Sequence, residues 1–480
     1  MTLEADYLIV GAGAQGVIFA DEMLTQSDAS MILVDRRPHA GGHWNDAYSF
    51  VRLHQPSVYY GAGSRSLGSN LIETAGMNAG LFEQATGAEV LSHFQDVMRA
   101  RLLKSGRVTF LSEHEYSGGW TSDHQIRNLK TGQERSVRVA KSLVDTTWFG
   151  VETPETHKPS FTIAAGTPFK TPARLTRDFE RHGDFAILGG GKTAMDVVIW
   201  LIQNGTEPER ICWVRPRDSW LTNRETAQPG NAGYLRMLQS QRNRLKASAV
   251  ADSTESLYLE LEARDELFRI DRSVYPTMFH GATISRGELE ILQRVENTVR
   301  GQRVTALAPG IMQLNGTVQQ VPTDTLFIDC TARAFNYKIP KPVFEPGKIT
   351  PKVIRDGLVS FSAAAIAYIE ASYSDDSAKN ALSAPIPYEE DLVTLPKRYR
   401  VEIENQTRWA DDAALRKWAR AHRLTGYGRP EDEEAAREAQ GLINEIASLR
   451  ASAALNLDKL IATRTQQTAQ RTIEAFSEAG

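Results

Sequence analysis

Asp6-Tyr7-Leu8-Ile9-Val10-Gly11-Ala12-Gly13-Ala14-Gln15-Gly16 decides the fold: a short apolar run meets three glycines spaced G-x-G-x-x-G. Val17, Ile18, Ala20, Met23 and Leu24 follow at helical spacing, and the apolar run 31–34 ends in Asp35. The order predicts a buried strand, a tight turn, a helix and a second parallel strand. Gly11 permits the turn, Gly13 leaves room for a pyrophosphate, and Gly16 lets helix and strand pack closely. From Ala14 on, the helix start offers free N–H groups and the positive end of its dipole to phosphate. Asp35 stands where a carboxylate accepts from ribose hydroxyls. A lone G-x-G-x-x-G marks only a tight turn; here every other part of a dinucleotide site follows in order.

The pattern recurs. The run 185–188 meets Gly189-Gly190-Gly191-Lys192-Thr193-Ala194, the alanine variant of the fingerprint, and a helical stretch then leads to a strand ending in Arg215 with Arg217 just beyond. An acid at that place suits a free ribose hydroxyl, whereas guanidiniums pair with a phosphate, so this half expects NADPH over NADH. Gly189, Gly191, Lys192, Thr193, Arg215 and Arg217 are its candidate binding residues. Lys192-Thr193 is not a Walker A motif, because Ala186 occupies the required first glycine position.

After Asp35 comes Arg36-Arg37-Pro38-His39-Ala40-Gly41-Gly42-His43-Trp44. This resembles the acid, basic residue, Gly-Gly-x-Trp continuation of FAD domains in flavin-containing and Baeyer–Villiger monooxygenases. The stretch 48–56 is similar to that family's segment leading past the flavin. Strand-end Asp-x-Thr sequences at Asp145 and Asp329 resemble the domain crossings of two-nucleotide flavoproteins. The stretch 349–370, with Phe361 on its helix, resembles the closing loop and helix of the FAD domain. The resemblance spans residues 6–370. It implies a class B flavoprotein monooxygenase in which NADPH reduces a tightly held FAD, and a flavin C4a-(hydro)peroxide then oxygenates a nitrogen, a sulfur or a carbonyl compound. On it, Gly42, His43, Trp44, Leu53, His54, Arg36, Asp329 and Phe361 join the cofactor-binding candidates. Catalytic candidates are His54, Gln55, Asn223 and Arg224. The family's F-x-G-x-x-x-H fingerprint is not matched: Phe149 and Gly150 are adjacent, and His157 lies seven residues after Gly150.

The remaining features set boundaries. A chain of 480 residues is long enough for two to four domains at roughly 100–200 residues each. The expected fold is α/β, with two Rossmann-like dinucleotide-binding domains and a helical C-terminal extension. We expect a first FAD part over 1–165 and an NADPH domain over 166–324 with a helical insert at 228–300. The second FAD part is expected over 325–390 and helices over 391–480. A net charge of −4 gives no reason to expect nucleic acid. Two cysteines without C-x-x-C exclude the redox dithiol of disulfide reductases, and no metal site is expected. Neither a membrane span nor a leader is foreseen, which makes the expected location cytoplasmic. The partners implied are a small substrate and molecular oxygen, with homo-oligomer contacts through the C-terminal helices. Two other readings stay open: a reductase, dehydrogenase or oxidase without oxygen insertion, and a flavoprotein redox sensor or complex subunit.

Overall fold

The structure is a computed structural model, and it describes residues 2–119, 123–177, 179–333 and 341–478. Leu3–Val10 is apolar along its second half because it runs through the middle of the first sheet. On one side it pairs in parallel with Met31–Asp35, which pairs with Val108–Ser112; on the other it pairs with Glu134–Asp145. The chain therefore leaves its central strand in both directions, creating a crevice at the strand ends just where Gly11 begins the turn.

The second sheet repeats the design. Its five parallel strands stand in the order Thr298–Arg300, Ile211–Arg215, Phe185–Leu188, Leu326–Asp329, Phe169–Lys170. Its crevice opens between Phe185–Leu188 and Leu326–Asp329, at Gly189. This moves the expected boundary at 324/325: Leu326–Asp329 completes the second sheet, and the chain rejoins the first only at Phe344–Glu345. The expected helical insert holds the helices Gly230–Val250, Thr254–Glu262 and Arg286–Gln293, together with the short strands Leu267–Phe268 and Thr283–Ile284, which pair with Leu221–Asn223; Thr298–Arg300 at its end belongs to the nucleotide sheet. Strand pairing, invisible in local sequence, decides both points.

Both Asp-x-Thr sequences fold into one kind of turn. Asp145 Oδ1 accepts from Thr147 N at 3.0 Å and Thr147 Oγ1 at 2.7 Å. Asp329 Oδ1 accepts from Thr331 N at 2.9 Å and Thr331 Oγ1 at 2.6 Å. A carboxylate that satisfies the backbone two residues on is what bends the chain out of each sheet.

The C-terminal helices are spent inside the molecule. In Glu433–Glu478, Ala439, Leu442, Ile446, Leu449 and Ala453 recur at alternating steps of three and four, a seam that packs on Leu238 and Leu245 of Gly230–Val250. Asn456 Nδ2 reaches the carbonyls of Ser248 and Ala251 at 2.9 and 2.6 Å, satisfying acceptors that a helix end leaves open. Trp409, Leu415 and Ala419 join the core of the first domain, and Trp418 stacks on Tyr368 with ring centres 4.6 Å apart. These apolar stripes pack on this chain's own core and on its helix Gly230–Val250. No helix among the described residues is long and apolar enough to cross a membrane.

Candidate functional site

The first crevice is shaped by missing side chains. A Cβ on Gly16 would lie 2.0 Å from the Gly11 carbonyl oxygen, and one on Gly11, whose φ is +102°, would lie 2.5 Å from Thr146 Oγ1. Gly11 and Gly16 are therefore required by the turn itself. Gly13 and Gly42 do something else: each faces the other's backbone, with the Gly13 Cβ position 3.6 Å from Gly42 Cα. Two bare backbones flanking a helix start are what a pyrophosphate needs. Asp35 is buried, its Oδ2 accepting from Ala12 N at 2.7 Å and its Oδ1 from Arg37 N at 2.8 Å. Each oxygen keeps a lone pair for a hydroxyl donor. His43 stacks on Trp44 at 5.2 Å, and Trp44 donates to Tyr60 Oη at 2.8 Å. Leu53 is buried. Arg36 points outward, 3.7 Å from Glu115.

In the second crevice Gly189, at φ +126°, would press a Cβ within 2.5 Å of the Cys330 carbonyl oxygen, whereas Gly191 faces open space. Trp213 Nε1 donates to the Gly189 carbonyl at 2.8 Å and holds the turn. Lys192 and Thr193 open the helix Lys192–Gln203. The Lys192 amine, however, turns away from the glycines to Asp196, with Glu288 3.8 Å away. The two arginines do not share one acid. Arg215 is buried, its guanidinium over the Trp213 ring at 4.5 Å, and its Nη1 lies 3.0 Å from Asp218 Oδ1 without the angle of a hydrogen bond. Arg217 is partly open and lies 3.5 Å from Glu390. The donors and the open space fit a dinucleotide.

Several expected site residues prove to be structural. Arg224 is fully buried: it pairs with Glu288 at 2.7 Å and donates to His54 O, Asn78 Oδ1 and Thr283 O at 2.7, 2.9 and 3.1 Å. Asn223 is fully buried too, spending its amide on Asp265 O at 2.8 Å and Glu225 N at 2.9 Å. Neither has a group free for catalysis. Phe361 packs against Trp409 and Trp418 in the core, which corrects it from cofactor contact to scaffold; Asp329 is buried, its Oδ1 spent on the turn and its Oδ2 without a hydrogen-bond partner among the described residues. His54 does reach the cleft, its ring open to water yet deep among Lys192, Arg224 and Glu288. Gln55 Nε2 lies 3.0 Å from where a Gly357 Cβ would be.

A charged chain that the sequence reading missed joins the two halves. Tyr48 donates to Asp196 Oδ2 at 2.6 Å, Asp196 holds Lys192, and Lys192 and Arg224 share Glu288. Beside it Phe50 stacks on Trp200 with ring centres 5.0 Å apart. His157, from the unmatched fingerprint, lies 3.4 Å from Thr331 Oγ1 at the second crossing.

Burial lowers the pKa of three histidines: His43 to about 4, His93 to about 4 and His280 to about 4. Their folded values lie below the unfolded value of about 6.5, so acidification protonates the unfolded chain first. His93 shows why: its Nε2 accepts from Ala62 N at 2.9 Å, which a protonated ring cannot do. Stability from these groups is complete above about pH 6.5 and is lost as pH falls from there toward about 4. The melting temperature should stay level from about pH 8 to 6.5 and drop below it; a level profile down to about pH 5 would contradict the neutral, buried assignment.

No protein-family model matches the chain. Among solved structures, the polycyclic ketone monooxygenase from the thermophilic fungus Thermothelomyces thermophila superposes with a TM-score of 0.51 at 13% identity, over 95% of this chain and 89% of that one. The chain thus shares the fold of that monooxygenase, with a helical C-terminal region. In sequence, the chain is 39% identical over 424 residues to an uncharacterized protein of Mycobacterium tuberculosis and to one of Mycobacterium bovis, over 88% of this chain and 78% of each relative. It belongs to the family of these mycobacterial proteins.

Proposed function

We propose that the chain is an FAD-dependent, NADPH-using monooxygenase acting on a small molecule. The single observation that carries this is the unlike pair of crevices: the first strand-turn-helix ends on Asp35, the second on Arg215 and Arg217. The facing glycines at 13 and 42 and the open space at Gly191 support two bound pyrophosphates. Gly11 and Gly16 would shape the turn that holds the FAD phosphates, with Gly13 beside them and Asp35 on the ribose; Gly189, Gly191 and Thr193 would hold the phosphates of NADPH. When bound, FAD supplies the two-electron and oxygen chemistry. The overall balance is substrate, dioxygen, NADPH and a proton giving oxygenated substrate, NADP+ and water. The chain's own part is to place the two cofactors at one cleft and limit water there; His54, kept neutral, adds no charge to it.

Arg217, the more open of the two guanidiniums, meets the 2′-phosphate in this reading. Arg217→Ala should raise KM for NADPH roughly tenfold and leave KM for NADH nearly unchanged. Equal effects on the two cofactors would remove Arg217 from that role.

Turnover under isotopically labelled dioxygen, with a panel of amines, sulfides and ketones, tests the reaction. Labelled product formed in step with NADPH consumption is expected. NADPH consumption that yields hydrogen peroxide and no labelled product favours the second reading, an oxidase or reductase, to which the spacing of Phe149, Gly150 and His157 also points.

A further inference from the structure

The insert over 228–300 carries an unusual arginine. Arg244, on the helix Gly230–Val250, gives its Nε to Glu266 at 3.2 Å. Glu266 is 2% exposed and is held in place by Ser240 Oγ at 2.5 Å and Asn243 Nδ2 at 3.2 Å, so the guanidinium is fixed from behind. Its two terminal nitrogens find no hydrogen-bond partner among the described residues. The side chain keeps 32% of its area open to water, in a recess bounded by Glu266, by the Tyr399 ring 6.0 Å away and by Asp356, which is close enough to act on its charge.

A chain of contacts leads from the residues around Arg244 to those beside His54. Asp356 bonds Arg398 and donates its N–H to Glu402 Oε2 at 2.9 Å, and Gly357, the next residue, packs against Gln55 beside His54. Burial raises the Glu402 pKa from its ordinary value. Gln406 ties Glu402 at 2.6 Å to Gln241 at 2.7 Å, one turn before Arg244. The wall from Gln55 to Arg244 is therefore polar and charged, unlike an apolar chamber for an unfunctionalised ketone.

We propose that this recess binds the substrate of the oxygenation reaction and selects a small molecule bearing a carboxylate, with Arg244 as the fork that receives it. The inference rests on the function proposed above. A planar guanidinium whose Nε is already anchored presents its terminal N–H groups in fixed directions, and this loses less freedom on binding a carboxylate than a lysine would. Such a carboxylate would take charge-assisted hydrogen bonds from the two terminal N–H groups, which Glu266 leaves unused.

Three acid and ester pairs serve as probes: levulinate, N-acetylmethionine and phenylacetate, each against its methyl ester. Binding to the purified, FAD-loaded full chain is followed by saturation-transfer NMR, with bound flavin read from the visible spectrum of the same samples. At least one acid should bind, with its ester roughly 10- to 100-fold weaker. Arg244→Gln should reduce the acid to the ester's affinity. Arg244→Lys keeps the charge on Glu266 and guards against a folding defect, yet should still bind the acid less well than wild type. The proposal is overturned if no acid binds, if acids and esters bind alike, or if both variants bind the acid as wild type does. A protein that holds no flavin but still discriminates acid from ester through Arg244 would defeat the proposed reaction and leave the carboxylate site standing.

Discussion

Replacing Gly13 by valine should strip the protein of flavin while leaving it folded. The backbone at Gly13 has φ −74°, which any residue adopts, and a Cβ there would sit 3.6 Å from Gly42 Cα, an ordinary contact. The valine methyl groups would then fill the narrow gap between the turn and the 41–42 loop. FAD binding should weaken more than about tenfold, or about 1.4 kcal/mol, as read by flavin content and by titration of the flavin-free protein. Circular dichroism and the melting temperature of the flavin-free forms should stay close to wild type. Gly16→Val is the contrasting case: its Cβ would stand 2.0 Å from a carbonyl oxygen, so the fold itself fails. A Gly13→Val protein with its full complement of FAD would show that no pyrophosphate lies against that turn.

Arg224→Met should be among the most destabilising single changes in the chain. The guanidinium is 0% exposed and satisfies four acceptors from three stretches of sequence. Its removal leaves Glu288, itself 4% exposed, with only Lys192 as a nearby cation among the described residues, and strips a donor from three other oxygens. Breaking a buried pair from one side costs about 3–5 kcal/mol. Arg224→Lys restores one charge but not the fork, and most of that loss should remain. A thermal melt of Arg224→Met within a degree or so of wild type would mean that the charged chain between the halves is not under tension from its partners.

Features encoded locally were legible. Each nucleotide turn is written within a dozen residues, since glycines, an apolar run and a helix start need no distant partner to declare themselves. The Asp-x-Thr repeat was legible as a strand end, and its carboxylate acts only two residues away. What failed was whatever depended on distant partners. Arg224 reads in sequence as a polar residue near a domain junction, but its partners are His54 and Asn78, more than 140 positions away. Phe361 sits on the expected helix yet turns to Trp409 and Trp418 instead of the cleft. Leu326–Asp329 carries no mark of which sheet it joins; only its pairing with Phe185–Leu188 assigns it. Arg244 was missed for a similar reason. Ser240, Asn243 and Arg244 share a helical face, but their common anchor, Glu266, lies beyond the next helix.

Anaerobic titration of the purified, FAD-reconstituted protein with NADPH tests the central claim most directly. If two crevices hold two different dinucleotides at one cleft, the protein is yellow with one FAD per chain, and about one equivalent of NADPH bleaches it far faster than NADH does. A protein that holds no FAD, or whose bound flavin NADPH leaves oxidised, would contradict it.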